Sequence, residues 1–201
     1  WLQFEDYHGG PNPFNDLFAE CRAQYTNEDD TPRLSWDNVK MRLKNLDTSR
    51  VHMVLTQDLD PAYIVIDFDI KDEHGEKCFE KNLEAANNWP STYAELSKSG
   101  GGIHLHYLYN GDPTELANRI DKDIEIKVFP GKSALRRKLT KCNSLPIAVL
   151  NPSPSLPKRE VKKMVSGKQI KSEKKLREQL EYILATKKPH GHTKPCVDFI
   201  K

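Results

Sequence analysis

The sequence predicts an α+β protein, in which strand and helix patterns follow one another along the chain. Three stretches carry this prediction. Residues 63–69 form a run of β-branched and aromatic residues that is typical of a buried strand. Residues 93–109 read as a strand, a glycine-rich turn and a second strand. Residues 14–25 instead place apolar side chains at the spacing of an amphipathic helix.

The other elements are predicted in chain order. Residues 1–13 contain a Gly-Gly-Pro-Asn-Pro cluster and are expected to be irregular. Ser35 is a suitable N-cap for a helix that ends at about residue 46. A helix over residues 79–88 ends before Pro90, because proline restricts the residue that precedes it. The remaining predicted elements are strands over residues 51–56, 124–128 and 145–150 and helices over residues 113–121 and 173–187.

Length and charge suggest one domain with a sizeable core, followed by a basic segment. The chain has 201 residues, of which 37% are hydrophobic and 30% are charged. Residues 151–201 hold 13 Lys and Arg against 5 Asp and Glu, whereas residues 1–150 hold 18 against 24. We therefore expect a domain over 1–150, then a basic linker and helical segment. An acidic body with a basic tail suits a protein that binds metal in one place and phosphate in another, although charge runs are more often solvated faces.

The sequence contains no apolar run of about 20 residues and no signal-peptide pattern, so we expect a cytoplasmic protein with no membrane partner. Its four cysteines are scattered singly and are expected to be free thiols. His190, His192 and Cys196 match no zinc spacing and are expected to be polar loop residues. The chain begins at Trp1 rather than Met, and we expect it to be a fragment of a longer protein.

Asp67 and Asp69 stand at the carboxyl end of the predicted central strand. Because side chains two residues apart in a strand leave the same face, the two carboxylates are expected to project together, with Phe68 in the opposite layer. Two carboxylates this close repel each other unless a cation or a proton lies between them. Mg²⁺ or Mn²⁺ is the natural guest. The alternative is a strand that ends in a polar turn, where Asp is common.

The glycine-rich turn offers hydrogen-bond donors to phosphate. Successive glycines let the backbone approach a ligand closely. The hydroxyl groups of Ser97 and Ser99, with the amides around Gly100 and Gly102, could cradle phosphate oxygens. His104 would leave one face of the strand that follows. The alternative is an ordinary glycine hairpin whose histidine is satisfied in or near the core.

Residues 124–128 alternate apolar and charged side chains, as in a strand that half faces a polar cleft. Glu125 is therefore a candidate third carboxylate, and the alternative is an outward-facing strand residue. Lys132, Arg136 and Arg137 follow shortly after it and are candidates for neutralising a triphosphate or a template backbone. The alternative for these three is a solvated basic surface.

Three motifs occur in order: Asp-x-Asp at residues 67–69, Ser-x-Ser-Gly-x-Gly-x-His at residues 97–104, and Glu125 on a later strand. Together they resemble the catalytic signature of the archaeo-eukaryotic primase superfamily, especially the primase-polymerase domains of bacteriophages and plasmids. The resemblance covers about residues 51–150. It implies a primase-polymerase core with a mainly antiparallel sheet, related to the RNA-recognition-motif topology and packed with helices, plus a C-terminal helical tail.

The resemblance also implies roles for individual residues. In that family the acids bind two divalent metals and the histidine contacts the phosphates of the incoming nucleotide. Carried over, Asp67, Asp69 and Glu125 would hold Mg²⁺ or Mn²⁺, and Glu125 departs from the Asp that is frequent there. The candidate nucleotide-binding residues are Ser97, Ser99, Gly100, Gly102, His104 and Lys132, and the candidate DNA-binding residues are Arg136 and Arg137.

The implied activity is template-directed nucleotidyl transfer by a DNA primase and DNA polymerase of phage or plasmid replication. Such an enzyme extends a primer or starts one de novo. Its partners would be a single-stranded DNA template, a primer, dNTPs or NTPs, and a helicase in the same replication protein. It would act in the host cytoplasm.

Two alternatives remain. His104-Leu105-His106 is also the His-hydrophobic-His pattern of rolling-circle replication nucleases and relaxases, which would use Tyr182 as the nucleophile on single-stranded DNA. That interpretation leaves the Asp-x-Asp pair and the glycine turn unexplained. The other alternative is a non-catalytic DNA-binding module that uses the basic tail, and the presence of all three acids argues against it.

Overall fold

A large, mainly antiparallel sheet forms the centre of the first of two units into which the chain divides, residues 1–160 and residues 161–201. The computed structural model describes residues 1–49, 52–159, 176–178 and 180–182. In the second unit the described residues are helical, within the predicted tail helix.

Two helices and eleven strands make up the described part of the first unit. The helices are α1 (Pro13–Leu17) and α2 (Phe79–Asn87), and single 3₁₀ turns occupy Trp36–Asn38, Leu43–Asn45 and Pro113–Glu115. The strands are β1 (Glu5–Asp6), β2 (Arg22–Tyr25), β3 (Val54–Gln57), β4 (Tyr63–Phe68), β5 (Ala94–Leu96), β6 (Ile103–Tyr109), β7 (Arg119–Asp121), β8 (Ile124–Val128), β9 (Ala134–Arg137), β10 (Lys141–Cys142) and β11 (Ala148–Leu150).

The large sheet has the strand order β1-β10-β5-β6-β4-β8-β7, and β11 pairs with the far end of β6. The β11–β6 pair is parallel, and the pairs along the main path are antiparallel. A second, antiparallel sheet has the order β2-β3-β9. The α+β class and the mainly antiparallel sheet are therefore confirmed.

The central strand β4 is buried on both faces, as its apolar run predicts. On one face Ile64 and Ile66 belong to a hydrophobic cluster that includes Ala86 of α2. On the other face Tyr63 and Val65 belong to a second cluster, which α1 and the small sheet complete. Because side chains alternate along a strand, Asp67 lies on the same face as Tyr63 and Val65. The small sheet thus covers the apolar part of this face. The rest of the face, at the carboxyl end of β4, carries the polar side chain of Asp67.

Three predicted helices are replaced by other structure. The helix α1 ends at Leu17, because residues 22–25 pair as β2 with β3 and bury Ala23. The predicted helix from Ser35 is two short 3₁₀ turns, and the Ser35 side chain makes no capping hydrogen bond. The predicted helix over residues 113–121 is a 3₁₀ turn followed by β7. In each case strand pairing or loop packing overrides local helix propensity.

The sequence predicts no element over residues 130–141. They instead contain β9, which pairs with β3 and closes the small sheet. Alternation of buried and exposed residues along β9 is regular, with Leu135 and Arg137 buried and Arg136 exposed. The alternating strand pattern of β9 is hard to recognise in the sequence, because the inward-facing position 137 carries a charged residue.

The first unit extends past the predicted boundary at residue 150. Leu156 is buried, the Ala117 amide donates to the Pro157 carbonyl at 2.8 Å, and the Arg159 amide donates to the Glu115 carbonyl at 2.6 Å. Cys21, Cys78 and Cys142 are free thiols, as predicted. The cluster His190, His192 and Cys196 lies outside the described residues. Among the helices of the described residues, none has the length and apolar character that a membrane span requires.

Candidate metal and nucleotide site

A row of charged and polar residues crosses four adjacent strands of the large sheet. Glu95 on β5 stands opposite His104 on β6, His104 opposite Asp67 on β4, and Asp67 opposite Glu125 on β8. Directly opposed residues of antiparallel strands project from the same face, so the four side chains share one face. The structure therefore brings together Asp67, His104 and Glu125, which the sequence analysis singled out separately.

Just past the end of β4, two backbone hydrogen bonds link the next residues along these strands. The Asp69 amide donates to the Asp123 carbonyl at 2.8 Å, and the Ser97 amide donates to the Gly102 carbonyl at 2.9 Å. Asp69 lies just past the last residue of β4, beside Gly102, and the common face expected for Asp67 and Asp69 stays a prediction. Asp123 was missed by sequence reasoning, because it precedes its strand and follows no alternating pattern.

Asp67 is almost fully buried, with 5% of its surface exposed. Its Oδ2 contacts Lys127 Nζ. His104 Nε2 lies 3.2 Å from Oδ1, but Oδ1 has no hydrogen-bond partner among the described residues. Burial alone would raise the pKa of Asp67, but His104 and Lys127 outweigh burial and hold that pKa well below its usual range. Asp67 is therefore an ionised carboxylate with one unused buried oxygen.

Asp69 and Glu125 are more accessible. Lys77 Nζ lies 2.5 Å from Asp69 Oδ1, and Arg119 Nη2 lies 3.3 Å from Glu125 Oε1. The side chains of Asp69 and Glu125 are 37% and 46% exposed. Each of the three candidate acids thus faces a basic group, so the cluster concentrates negative charge and also carries the positive charge that balances it.

The glycine turn lies directly beside Asp69. A Cβ atom on Gly102 would stand 2.6 Å from Asp69 Oδ1 and 2.9 Å from Ser97 Oγ, closer than real Cβ atoms come to other atoms. Only glycine therefore leaves room for the Asp69 carboxylate in its present place. Gly100 has a φ of +78°, a left-handed conformation that favours glycine.

Hydrogen bonds to Ser97 stabilise the glycine turn. Its Oγ accepts a hydrogen bond from the Gly102 amide at 2.9 Å and lies 3.2 Å from Ser99 Oγ. The Gly100 amide donates to the Ser97 carbonyl at 2.9 Å. With only 5% of its surface exposed, Ser97 holds the turn closed and accepts from the Gly100 and Gly102 amides, so these three predicted phosphate-binding groups are already engaged, whereas Ser99 is exposed.

Asn82 of α2 holds the turn and the end of β4 together, and sequence reasoning missed it. Its Oδ1 accepts from the Ile70 amide at 2.8 Å, while Nδ2 donates to the carbonyls of Gly101 at 2.8 Å and Cys78 at 2.9 Å. The side chain is fully buried. The signal in the sequence is a polar residue between Phe79 and Ala86, on the face of the helix that turns inward.

Arg137 was expected to contact DNA, but the structure places it in the core. Only 3% of its surface is exposed. Its Nε donates to Glu95 Oε1 at 2.9 Å, Nη1 donates to Asn15 Oδ1 at 2.9 Å, and Nη2 donates to the Tyr93 hydroxyl at 3.2 Å. Its guanidinium is buried and bound to core partners, so Arg137 is not accessible to a nucleic acid. Its neighbour Arg136 points outward, and Lys132 is also exposed.

Glu95 and His106 are buried titratable residues that the predicted site did not include. Burial alone would raise the pKa of Glu95, but the Arg137 guanidinium lowers it to about 2. Burial lowers the pKa of His106 to about 3, against the opposing charge of Glu95. Glu95 is therefore ionised and His106 neutral at ordinary pH. The two lie close enough to act together, with 3.9 Å between His106 Nε2 and Glu95 Oε2.

Glu95, His104 and His106 could hold a metal ion. One ligand atom from each lies within 4.8 Å of the others. Beside the row of acids, an open cleft of about 620 Å³ follows β8 from Glu125 to Val128 and reaches Ser133 and Ala134. Comparison with known proteins adds no relative, since no family model matches the chain and no curated protein is similar to it.

Proposed function

We propose that the first unit is a metal-dependent nucleotidyltransferase that adds nucleotides to a primer, or starts one, on a single-stranded DNA template. The observation that supports the proposal is that Asp67 stands directly opposite Glu125 on one sheet face, while Asp69, two residues along the chain, lies beside the glycine turn. Carboxylates beside basic and hydroxyl donors are a combination that phosphoryl-transfer chemistry uses.

The residue types at this end of β4 suit a hard divalent metal, but their carboxylates would have to move closer together to share one, because the group of described ligand atoms within 4.8 Å of one another is Glu95, His104 and His106. Asp67 Oδ1 is a buried carboxylate oxygen without a hydrogen bond, and such an oxygen is stabilised by a cation. Asp69 and Glu125 would complete an all-oxygen donor set, which Mg²⁺ and Mn²⁺ prefer. When bound, these ions supply charge stabilisation for the attacking and leaving oxygens.

The chain's own residues would then handle the triphosphate. His104 lies next to Asp67 and would donate a hydrogen bond to a phosphate oxygen. Lys77 and Lys127 are bound to the acids and would turn to the phosphates once metal neutralises Asp67 and Asp69. The Gly100 and Gly102 amides already donate to Ser97, so the glycine turn would contribute the exposed Ser99 hydroxyl, and the cleft beside Glu125 gives room for a nucleotide.

The experiment is incorporation of labelled dNTPs or NTPs on a single-stranded template, with and without an annealed primer, in Mg²⁺ and in Mn²⁺. We expect metal-dependent extension products, and products without a primer would identify a primase. Template cleavage in place of synthesis, abolished by Tyr182→Phe, would contradict the proposal and favour the nuclease. Binding of the template without either reaction would favour a DNA-binding module.

A further inference from the structure

Two buried atoms without hydrogen-bond partners stand on either side of His104. Among the described residues, Asp67 Oδ1 and His106 Nε2 are buried side-chain atoms with no partner. His104 Nε2 lies 3.2 Å from Asp67 Oδ1, and the His104 and His106 rings have centroids 6.5 Å apart. Leaving such an atom unpaired costs about 1–3 kcal/mol. Asp67 Oδ1 is assigned above to the carboxylate cluster, so it is the buried His106 Nε2 that calls for a further ligand able to accept a lone pair.

Glu95 and His106 are each held in a fixed orientation by hydrogen bonds to other side chains. Glu95 Oε1 accepts from Arg137 and from the Tyr93 hydroxyl, which leaves Oε2 on the side of His106. His106 Nδ1 is hydrogen-bonded to the Tyr63 hydroxyl, which leaves Nε2 as the uncommitted ring nitrogen. Metal-bound histidines and carboxylates typically have outer partners of this kind, because these partners fix the ligand's orientation.

We propose that Glu95, His104 and His106 bind one borderline divalent transition metal of the Zn²⁺ type. Their ligand atoms lie within 4.8 Å of one another. Two imidazoles and one carboxylate form a donor set that zinc uses, whereas Mg²⁺ prefers oxygen ligands alone. The site is therefore distinct in chemistry from the all-carboxylate cluster of Asp67, Asp69 and Glu125, and it goes beyond the proposed nucleotidyl transfer.

Co²⁺ is a suitable probe, because its visible absorption reports coordination directly. The full chain carries further candidate ligands in its tail, so the titration uses a background with His190→Ala, His192→Ala and Cys196→Ser. With a large excess of Mg²⁺ present to fill the carboxylate cluster, we expect one Co²⁺ per chain, displaced by Zn²⁺ and not by more Mg²⁺. The absence of saturable Co²⁺ binding, or equal displacement by Mg²⁺, would overturn the proposal.

Variants test which residues bind. In the same background, His104→Gln and His106→Gln should each lower the Co²⁺ affinity by at least about 100-fold, because loss of an outer partner alone costs 10- to 100-fold. His74→Gln is the matched control, since the His74 side chain is 77% exposed and far from the group in sequence. Circular dichroism checks folding.

Should His106→Gln fail to fold, His104→Gln decides the question, because the His104 side chain is 22% exposed and at the edge of the core. Unchanged affinity in a folded His104→Gln protein would refute the site. The titration contains no nucleotide or DNA, so its result stands apart from whether the protein synthesises DNA.

Discussion

Asn82 donates a hydrogen bond from Nδ2 to the carbonyl of Gly101 at 2.8 Å, and so ties helix α2 to the tip of the glycine turn. The same side chain bonds both the amide and the carbonyl of Ile70, which follows Asp69. One buried amide thus fixes the distance between the acid at the end of β4 and the turn beside it. Asn82 is a positioning residue for the candidate site.

Replacing Asn82 with Ala should therefore destabilise the fold and disturb the site together. The change leaves several backbone groups unpaired, and we expect the free energy of unfolding to fall by about 2–3 kcal/mol. Urea unfolding measures this loss. Asn88→Ala is the control, because the Asn88 side chain makes one exposed bond to the Glu84 carbonyl and should change stability by less than about 0.5 kcal/mol. Equal losses in the two variants would contradict the role given to Asn82.

Gly102 is predicted to be intolerant of a side chain. The Cβ of Gly102→Ala would meet Asp69 Oδ1 at 2.6 Å and displace the carboxylate. We expect nucleotide incorporation to fall at least about 10-fold, because small displacements of a catalytic group cost rate steeply. Gly10→Ala is the control, since a Cβ there meets nothing within 4 Å. Normal incorporation by Gly102→Ala would show that the place of Asp69 is unimportant.

Arg136 and Arg137 are neighbours in sequence with opposite expected behaviour. Arg137→Met removes the cation that keeps the buried Glu95 ionised and leaves that carboxyl without its charge partner, so the free energy of unfolding should fall by about 3–5 kcal/mol. Arg136→Ala should leave stability within about 0.5 kcal/mol.

If Arg136 contacts a phosphate, its loss should reduce the salt dependence of single-strand binding by about one counterion. Denaturant unfolding and binding titrations at several salt concentrations measure both effects, and a destabilised Arg136→Ala would contradict the assignment.

Stability of the metal-free chain should fall in mild acid because of His106. Its folded pKa of about 3 lies below the ordinary value of 6.5, so the unfolded chain takes up a proton that the folded chain does not. The free energy of unfolding should therefore fall as pH drops below about 6.5, by about 2 kcal/mol between about pH 7 and pH 5. The lowered pKa values of Asp67 and Glu95 act only at lower pH. Urea unfolding with EDTA tests this, and a His106→Gln chain with the same pH slope would contradict it.

The sequence predicted those elements whose pattern is enforced by burial. β4, α2 and β8 lie where expected, because each has one strongly apolar face or run. The face shared by Asp67 and Glu125 also follows from strand periodicity once the two strands are adjacent. The small sheet could not be predicted in this way. Its strand β2 lies at the end of a helical pattern, and pairing with β3 across a long loop decides its structure.

Long-range pairing also explains the missed and misplaced site residues. Glu95 and Arg137 are far apart in sequence, and nothing local distinguishes Arg137 from its exposed neighbour Arg136. Their burial depends on β9 facing β5 across the core. The role of Asn82 could not be predicted either, because its hydrogen-bond partners are backbone groups, which are the same for every residue type.

The most direct test of the account is nucleotide incorporation by the full chain with Asp67→Asn. This change keeps the shape of the side chain and removes the buried charge that would hold metal. Asp37→Asn, at an exposed position, is the matched control. We predict that the wild-type and Asp37→Asn proteins extend a primer in Mn²⁺, while Asp67→Asn, folded by circular dichroism, loses incorporation by at least about 100-fold, as when a main charge-stabilising group is removed. Equal incorporation by all three proteins would contradict the metal-dependent site at the end of β4.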